Sequence, residues 1–493
     1  MHILPTTEKI DKIEPSVALF FTEEHAADLI KKDHKGYEEL IASVIKDGDF
    51  KGERDQLLTV HTHGKIKAKH VILIGLGKLA DLDVEKIRRA FSLVVGRVKM
   101  LKRERFAAVV DFEKIRDQDA IRAAVEGIVL ADYKFLKYKT EDQEKRKEIR
   151  EALLVVKKLD YAKDWIAETQ MVCETTNFVR DLQNENADVM NSLMIEKVAR
   201  DLAKRLDLKI TVFDEKQLKK MGMNLLLAVG QGSRYPPRFI ILEYIGNKTS
   251  KETTAIIGKG ITFDSGGLNL KPTKYIETMR LDKSGAGVVL GVLKAAAELK
   301  LRTNVVGVIA TCENVIGSGA YKPGDVFVSY AGKTVEIGNT DAEGRLILAD
   351  ALAYTEKNIR PTRMIDFATL TGAVSVCFGE FVAGMMGTDK ELMKKLLDAG
   401  QRTYERVWEL PLYDEYLEEV KGEVGDISNQ SYWPFAGAIM GAAFLKKFVE
   451  KTPWTHVDIA GTAWWEKSRY YTPKSGTGFG VRLMVDYLKQ LSS

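Results

Sequence analysis

Short apolar runs alternate with amphipathic, charged stretches along most of the chain, and this alternation predicts a protein of the α/β class. In roughly the first 111 residues, apolar positions spaced three or four apart predict a helix over residues 83–98. Runs rich in β-branched and aromatic residues predict strands at 16–21, 57–62, 70–75 and 107–111.

The alternation becomes more regular after residue 184, where strands and helices follow one another in turn. Helices are predicted at 193–206, 215–221, 285–299 and 346–354. Strands are predicted at 209–213, 238–244, 253–258, 304–310, 364–368 and 456–460. Such alternation is typical of a mostly parallel sheet covered by helices.

A chain of 493 residues is too long for one ordinary hydrophobic core. We therefore predict a smaller N-terminal α/β domain, residues 1–158, and a larger C-terminal α/β domain, residues 159–493. A linking helix is predicted at 159–182. The dense run of both charges at 137–150 is interpreted as a solvated helix face or a connection.

The composition, 45% hydrophobic and 29% charged, is typical of a soluble globular protein. A net charge of +4 from 74 basic and 70 acidic residues does not by itself argue for nucleic acid or an anionic membrane, and neither is expected as a partner. No apolar stretch approaches the roughly 20 residues of a membrane helix, and the first 15 residues lack a signal-like apolar region. The three cysteines, widely separated, suggest no disulfide framework. A cytoplasmic location is expected.

Histidine is scarce where chemistry is expected, because six of the seven histidines lie in the first 70 residues. A metal site in the C-terminal region must therefore rely on carboxylates, with His456 the one imidazole there. His61 and His63 would share one face of a strand, but without acidic or cysteine partners they indicate a surface strand. Gly75 and Gly77 lack the third glycine of a dinucleotide site, so they predict a turn.

Residues 338–346 read Gly-Asn-Thr-Asp-Ala-Glu-Gly-Arg-Leu and concentrate charge on a glycine-flanked segment. Asp341 and Glu343 are separated by one residue, and Arg345 follows two positions later. Since a helix is predicted from 346, these acids lie on a loop at a helix start. This combination is typical of oxygen ligands for a metal ion.

Two further strand-to-helix loops, at 258–271 and 279–287, carry unusual residues. They add two carboxylates and two ammonium groups, those of Asp264, Asp282, Lys259 and Lys271. Taken singly, each acid fits a turn or a helix cap. Since sites in such sheets lie at the carboxyl ends of strands, the three loops are expected to meet. Their four carboxylates would then repel one another. Two divalent cations would balance them. The glycine spacing of the first loop does not fit a phosphate loop.

Residues 339–346 resemble the signature octapeptide of the leucyl aminopeptidase (cytosol aminopeptidase) family, and residues 258–267 are similar to its metal-binding loop. The likeness runs from about residue 177 to the C-terminus, through 368–373 and 458–463, and is weaker over 1–158. The resemblance implies a homohexameric metallo-aminopeptidase. Such an enzyme removes N-terminal residues, preferably leucine and similar ones, from peptides through a water activated by two metal ions.

The resemblance also implies a set of metal ligands. Asp264 and Glu343 would bridge the two metals, Asp282 and Lys259 would complete one site, and Asp341 would complete the other through its side chain and main-chain carbonyl. A lysine ligand has to be neutral, and a nearby divalent cation favours loss of its proton. Carboxylate-rich sites accept several metals, of which zinc or manganese is favoured here and magnesium or cobalt stays open.

By the same resemblance Lys271 would polarise the scissile carbonyl, and Arg345 would hold a bicarbonate ion that shuttles protons. The forked donors of an arginine suit a planar anion better than an ammonium does. Seven further positions match the family's substrate-binding residues: Met279, Asn339, Thr369, Leu370, Gly372, Ala460 and Ala463.

Two stretches depart from the family pattern and leave the substrate preference open. Tyr432, Trp433 and Phe435 add aromatic bulk near the expected substrate entrance or at a subunit contact, and residues 464–471 look inserted. Two other functions stay open as alternatives. One is a DNA-binding use of the scaffold, which the near-neutral charge disfavours, and the other is a dipeptidase-type activity at the same site.

Overall fold

Two β-sheets, each flanked by helices, organise the computed structural model of the chain, which describes residues 1–32, 34–141 and 148–492. One unit comprises residues 1–174 with 467–473, and the other comprises 175–466 with 474–493. Part of the charged run at 137–150 lies outside the described residues. The domain boundary near residue 158 stays a prediction.

The first unit contains a six-stranded sheet in the order β1-β6-β5-β2-β4-β3, in which every neighbouring pair is parallel except β3 with β4. Its elements are β1 (His2–Thr6), β2 (Ser16–Thr22), α1 (Glu23–Leu29), α2 (Tyr37–Lys46), β3 (Leu57–His61), β4 (His70–Gly77), α3 (Val84–Met100), β5 (Arg105–Val109), α4 (Asp117–Asp132) and β6 (Glu151–Val155). The helix α5 (Ala162–Asn184) runs from this unit into the next.

Alternate residues of β4 supply the two cores of this sheet. Val71 and Leu73 pack into one apolar cluster, and Ile72 and Ile74 pack into the other. Because successive side chains of a strand point to opposite faces, a strand covered on both sides is apolar throughout. This explains why the strand predicted at 70–75 has no polar alternation.

The second unit contains the longer series of elements, listed here in chain order. They are α6 (Ser192–Leu206), β7 (Lys209–Phe213), α7 (Glu215–Met221), α8 (Asn224–Gly230), β8 (Arg238–Ile245), β9 (Thr253–Asp264), α9 (Thr273–Ile276), α10 (Ser284–Glu298), β10 (Asn304–Asn314), β11 (Val326–Val328), β12 (Thr334–Glu336), α11 (Glu343–Tyr354), β13 (Arg363–Ala368), α12 (Gly372–Phe378), β14 (Ala383–Gly387), α13 (Lys390–Thr403), β15 (Val407–Glu409), α14 (Asp414–Glu418), β16 (Ile427–Ser428), α15 (Gly437–Lys446), β17 (Trp454–Asp458), β18 (Trp464–Trp465), β19 (Ser475–Gly476) and α16 (Val481–Leu491).

The main sheet of this unit has eight strands in the order β15-β14-β17-β13-β9-β10-β8-β7. The four central strands β17, β13, β9 and β10 are parallel, whereas β8 and β14 pair with them in the antiparallel direction. Parallel central strands bring their carboxyl ends to one edge, where sites of α/β proteins lie. The predicted α/β class with a mostly parallel central sheet is confirmed.

Several elements extend beyond their predicted ends, and these extensions carry charged residues. The strand predicted at 253–258 continues to Asp264, because residues 259–261 stay in parallel register with 310–312 of β10. The glycine-rich segment predicted as a loop is therefore largely strand. Gly258 allows the close approach of α10, since a Cβ there would meet the Gly285 carbonyl oxygen at 2.4 Å.

The helix predicted from 346 begins at Glu343, and several elements were not predicted at all, among them β6, α4, α8 and α15. Among the described residues, no helix combines the length and the apolar character that crossing a membrane requires.

Candidate active site and metal centre

Strands β9, β13 and β17 lead into loops that line a cavity of about 670 Å³ in the second unit. One wall is charged and consists of Lys259, Asp264, Lys271, Asp282, Asp341 and Glu343. Met279, Leu370, Ala460, Ala463 and Trp464 also line the cavity and are called its apolar wall here, and the acids Glu380 and Glu466 complete the charged residues of the lining. A cavity with one charged and one apolar wall can orient an amphipathic ligand.

Lys259 lies at the centre of the first group of charges. It stands on β9, and its Nζ lies 2.9 Å from Asp282 Oδ2 and 2.8 Å from Glu343 Oε1. Nζ also donates a hydrogen bond of 2.8 Å to the carbonyl oxygen of Thr369. Gly344 makes room for this side chain, because a Cβ at that position would meet the Lys259 side chain at 2.5 Å.

Lys271 lies between the other two carboxylates. Its Nζ is 2.9 Å from Asp264 Oδ2 and 2.5 Å from Asp341 Oδ1. Asp264 is the last residue of β9, Asp341 lies in the turn before α11, and Lys271 lies in the loop before α9. Four carboxylates thus face two ammonium groups, and the side chains of Lys259, Asp264, Asp282 and Glu343 are almost fully buried.

Burial and mutual repulsion raise the pKa values of these carboxylates, whereas the charges of the two lysines lower them. Burial, with the charges of Glu343 and Asp282, raises the pKa of Asp264 well above its usual range. Burial raises the pKa of Asp282 to about 6, although Lys259 opposes the shift. Burial would also raise the pKa of Glu343, but the charges of Lys259 and Lys271 outweigh it and the pKa lies below the ordinary value. The lysines thus leave the cluster's negative charge incompletely compensated.

The donor set fits divalent cations. One ligand oxygen from each of Asp264, Asp341 and Glu343 can be chosen so that all three atoms lie within 4.8 Å of one another. Carboxylate oxygens at this spacing are suitable ligands for hard or borderline divalent metals. Added positive charge would also relieve the repulsion that raises the pKa of Asp264 and Asp341. Asp282 and Lys259 stand beside this group, so the set is large enough for two ions.

A second cavity, of about 310 Å³, adjoins the first and shares Asp341, Leu370, Thr371 and Gly372 with it. Arg345 lines this cavity. Its Nη1 donates to the Asn429 carbonyl oxygen at 2.7 Å, and its buried Nε has no hydrogen-bond partner among the described residues. A buried guanidinium with a free donor at a cavity is suited to bind an anion.

A model of the cytosol aminopeptidase family, catalytic domain, matches residues 177–485, and a model of that family's N-terminal domain matches residues 17–142. The chain belongs to the cytosol aminopeptidase family. The resemblance read from residues 339–346 and 258–267 is therefore confirmed, and the chain is a metallo-exopeptidase of the hydrolase class that acts on peptides.

Individual members of the cytosol aminopeptidase family match almost the whole chain. A probable cytosol aminopeptidase of Geotalea uraniireducens is 41% identical, covering 92% of this chain and 91% of the relative. A probable cytosol aminopeptidase of Geobacter sulfurreducens is 43% identical, covering 91% of this chain and 90% of the relative. One from a Sulfurihydrogenibium species is 39% identical, covering 100% of this chain and 98% of the relative.

Two solved structures of the bottromycin maturation enzyme BotP, one of them in complex with Mn, share the fold with a TM-score of 0.85. They are 29% and 28% identical to this chain and cover 97% of it, and the match spans 99% and 100% of their own chains. The similarity in fold therefore extends over both units of this family member.

The structure brings all fourteen sequence-predicted site residues to these two cavities. Twelve line the larger one: Lys259, Asp264, Lys271, Met279, Asp282, Asp341, Glu343, Thr369, Leu370, Gly372, Ala460 and Ala463. Asn339 and Arg345 line the smaller one. The individual role of each residue stays a prediction.

Sequence reasoning missed the residues that hold the two acidic turns together. Asn314 Nδ2 donates to Asp264 Oδ1 at 2.8 Å and to the Thr340 carbonyl oxygen at 3.0 Å, and Tyr321 OH donates to the same carbonyl at 2.7 Å. Asn314 ends β10 beside Asp264 in the parallel register. The rule that sites collect at strand ends would have identified it, had β10 been extended past residue 310.

Asp458, at the end of β17, was also missed and fixes the loop after β13. Its Oδ1 accepts from the backbone N–H groups of Leu370 at 3.0 Å and Ala460 at 3.1 Å, and its Oδ2 accepts from Thr371 Oγ1 at 2.7 Å. Thr369 in that loop donates through Oγ1 to Asp282 Oδ1 at 2.7 Å. Asp458 therefore positions both the apolar wall and one acid of the charged wall.

Proposed function

We propose that this enzyme removes N-terminal leucine and similar apolar residues from peptides by means of a water activated at two divalent metal ions. The observation that carries the proposal is the convergence of four carboxylates and Lys259 on one cavity that also has an apolar wall. We further propose zinc or manganese as the resident metals, with magnesium or cobalt as substitutes, a homohexameric assembly and a cytoplasmic location.

In this proposal Asp264 and Glu343 would be ligands to both ions, Lys259 and Asp282 would complete one site, and Asp341 would complete the other. Bound there, two divalent cations would polarise the scissile carbonyl and bring the pKa of a water close to neutrality. Lys259 has to be neutral to act as a ligand. Although its burial lowers its pKa, the charges of Asp282, Glu343 and Asp264 hold that pKa above the usual value, so binding of metal displaces a proton from this ammonium.

Lys271 is the proposed electrophile. Its ammonium contacts Asp264 and Asp341 at the charged wall, so a carbonyl oxygen placed there would receive a hydrogen bond from it as negative charge develops. Arg345 would hold a bicarbonate ion in the adjoining cavity, and the chemistry this ion would supply there is proton transfer. The unpaired buried Nε of Arg345 supports anion binding at this place.

The apolar wall is the proposed receptor for the N-terminal side chain. Met279, Ala460 and Ala463 leave room for a branched aliphatic group, and burying such a group contributes about 1.5–3 kcal/mol. Thr369, Leu370 and Gly372 line the same cavity, and the main-chain carbonyl of Leu370 is the proposed acceptor for the substrate amine. Asn339 stands in the neighbouring cavity and supports the leaving part of the peptide.

The test combines metal analysis with a panel of amino-acid amides. The purified enzyme is expected to bind two divalent ions per subunit and to hydrolyse leucinamide faster than glycinamide or glutamic acid α-amide. Asp341→Ala is expected to abolish this hydrolysis, whereas Glu391→Ala, at an exposed acid in the first turn of α13, serves as the matched control. Unchanged hydrolysis by Asp341→Ala would refute the site. A molar mass other than six subunits would refute the hexamer alone.

A further inference from the structure

We propose that Trp433 and Phe435 form an apolar subsite for the side chain of the substrate's second residue. The inference rests on the proposed function, because it takes the larger cavity as the place of the N-terminal residue. It adds a selection that the metal centre cannot make: peptides with a large apolar or aromatic second residue are preferred over those with glycine or an acidic residue there.

The two cavities are connected to each other. Asp341, Leu370, Thr371 and Gly372 line both of them, so they meet at the charged wall where the scissile carbonyl is proposed to lie. A peptide with its first side chain among Met279 and Ala463 therefore continues directly into the smaller cavity. Gly372 leaves this passage open, since nothing lies within 4 Å of a Cβ built at that position.

The smaller cavity has aromatic side chains in its lining. Trp433, Pro434, Phe435 and Met440 line it, beside the polar residues Asn429, Gln430 and Ser431. The two aromatic rings stand 5.4 Å apart at 69°, an edge-to-face arrangement, yet Trp433 remains 41% and Phe435 62% exposed. Adjacent aromatic residues left exposed at a cavity are typical of a binding site.

Hydrogen bonds of Asn429 attach the stretch that precedes Trp433 to the turn that carries Asp341. Asn429 Oδ1 accepts from the backbone N–H groups of Gly338 and Asn339 at 2.8 and 3.1 Å, and Asn429 Nδ2 donates to the Asn339 carbonyl oxygen at 2.7 Å. Arg345 donates to the Asn429 carbonyl oxygen from the other side. Asn429, four residues before Trp433, is thus held against the turn that carries Asp341.

The charges of the smaller cavity determine which second residues fit. Arg345 and Asp341 are the charged residues among those that line it. Because the proposed function assigns Arg345 to bicarbonate and Asp341 to metal, neither charge remains to pair with an ionised substrate side chain. An acidic or basic second residue would lose water without gaining a partner, whereas an aromatic one would stack on Trp433 or Phe435.

The experiment compares leucinamide with the dipeptides Leu-Gly, Leu-Glu and Leu-Phe, using the full-length enzyme loaded with its metal. Leucinamide has no second residue, so its hydrolysis reports the metal centre alone. In the wild-type enzyme kcat/KM for Leu-Phe is expected to exceed that for Leu-Gly about tenfold, a ratio that one apolar contact surface can produce. Leu-Glu is expected to be the poorest of the three dipeptides.

The double variant Trp433→Ala/Phe435→Ala is expected to reduce the Leu-Phe to Leu-Gly ratio to about two, mainly through KM. Its kcat/KM for leucinamide is expected to change less than threefold. Trp408→Ala is the matched control, because Trp408 is an exposed tryptophan of β15 that lines neither cavity. Its ratio is expected to equal that of the wild-type enzyme.

Three outcomes are distinguishable. If the wild-type enzyme does not hydrolyse leucinamide, the proposed function itself fails. If it hydrolyses leucinamide but treats Leu-Phe and Leu-Gly alike, only the subsite is wrong. If the double variant changes the oligomeric mass in sedimentation and loses all four activities equally, the aromatic pair serves a subunit contact, which also overturns the inference.

Discussion

Two buried carboxylates on one helix, Glu343 and Asp350, show how the partner of a buried charge decides its role. Both lie in α11, seven positions apart and hence about two turns, and both are almost fully buried. Glu343 faces Lys259 and, at a longer distance, Lys271, beside a cavity. Asp350 instead accepts hydrogen bonds of 2.8–3.1 Å from the backbone N–H groups of Leu225, Leu226 and Tyr330.

The two environments shift the pKa values in opposite directions. At Glu343 the lysine charges outweigh burial and lower the pKa. At Asp350 burial outweighs three backbone donors and raises the pKa to about 7. Asp350 stabilises the first turn of α8, whose N–H groups otherwise lack partners. In this protein, a buried acid therefore indicates a reactive site when it faces ammonium groups and a cavity, and a structural role when it faces backbone N–H groups.

The strongest test of this comparison removes the charge of Glu343. Glu343→Gln keeps the shape of the side chain but weakens a ligand that is proposed to bridge both metals. We expect kcat/KM for leucinamide to fall about 10³–10⁴-fold, or about 4–5.5 kcal/mol of transition-state stabilisation, while the enzyme stays folded. Activity assays, metal analysis and circular dichroism measure these effects. A kcat/KM for leucinamide within tenfold of the wild-type value would mean that Glu343, like Asp350, has a structural role.

Replacing Lys271 tests whether this ammonium acts in the reaction as well as in charge balance. Lys271→Met keeps the aliphatic stem and removes the donor. We expect kcat to fall about 10²–10³-fold, the effect of losing one oxyanion donor, with little change in bound metal. If the variant instead loses metal, or if only KM rises, Lys271 has no direct part in the chemical step.

Removing Asp350 should produce the complementary result. Asp350→Ala leaves three buried N–H groups without partners, and we expect the free energy of unfolding to fall by about 3 kcal/mol. Activity per folded molecule should be retained, because the three residues that donate to this carboxylate, Leu225, Leu226 and Tyr330, line neither cavity. Denaturant unfolding provides the measurement, with Asp414→Ala, at an exposed acid of α14, as the control. A loss of kcat without a loss of stability would contradict the distinction.

The smallest expected effect is a dependence of stability on pH. The carboxyl group of Asp350 has a pKa of about 7 in the folded state and about 3.9 in the unfolded state, so the folded state binds more protons between these pH values. Its contribution to the free energy of unfolding therefore falls as the pH rises from about 3.9 to about 7, and it is constant above that range. Asp350→Asn cannot ionise and should lack this component. We expect the melting-temperature difference, wild type minus variant, to shrink by about 2 °C between pH 5 and pH 7.5. A difference that grows with pH would contradict the raised pKa.

Much of the site was predictable because its ligands are local in sequence. Asp341, Glu343 and Arg345 lie within five residues. The loop at 258–271 carries Lys259, Asp264 and Lys271, and the loop at 279–287 carries Asp282. Asn314 and Asp458 escaped because an asparagine at a strand end, or an aspartate in an apolar strand, has many ordinary explanations. Their importance appears only when β10 and β17 are placed beside β9 and β13.

The sequence by itself determined the α/β class, the family and the identities of the charged residues, because periodicity and motif spacing are properties of neighbouring positions. Only the tertiary structure decided which charges face each other. Lys259 lies on a strand extended by its register with β10, and Lys271 lies between acids 7 and 70 positions away along the chain. The same holds for Glu343 and Asp350, whose roles differ because other segments bring ammonium groups to one and backbone N–H groups to the other. Long-range packing sets these partners, and the partners set the pKa values.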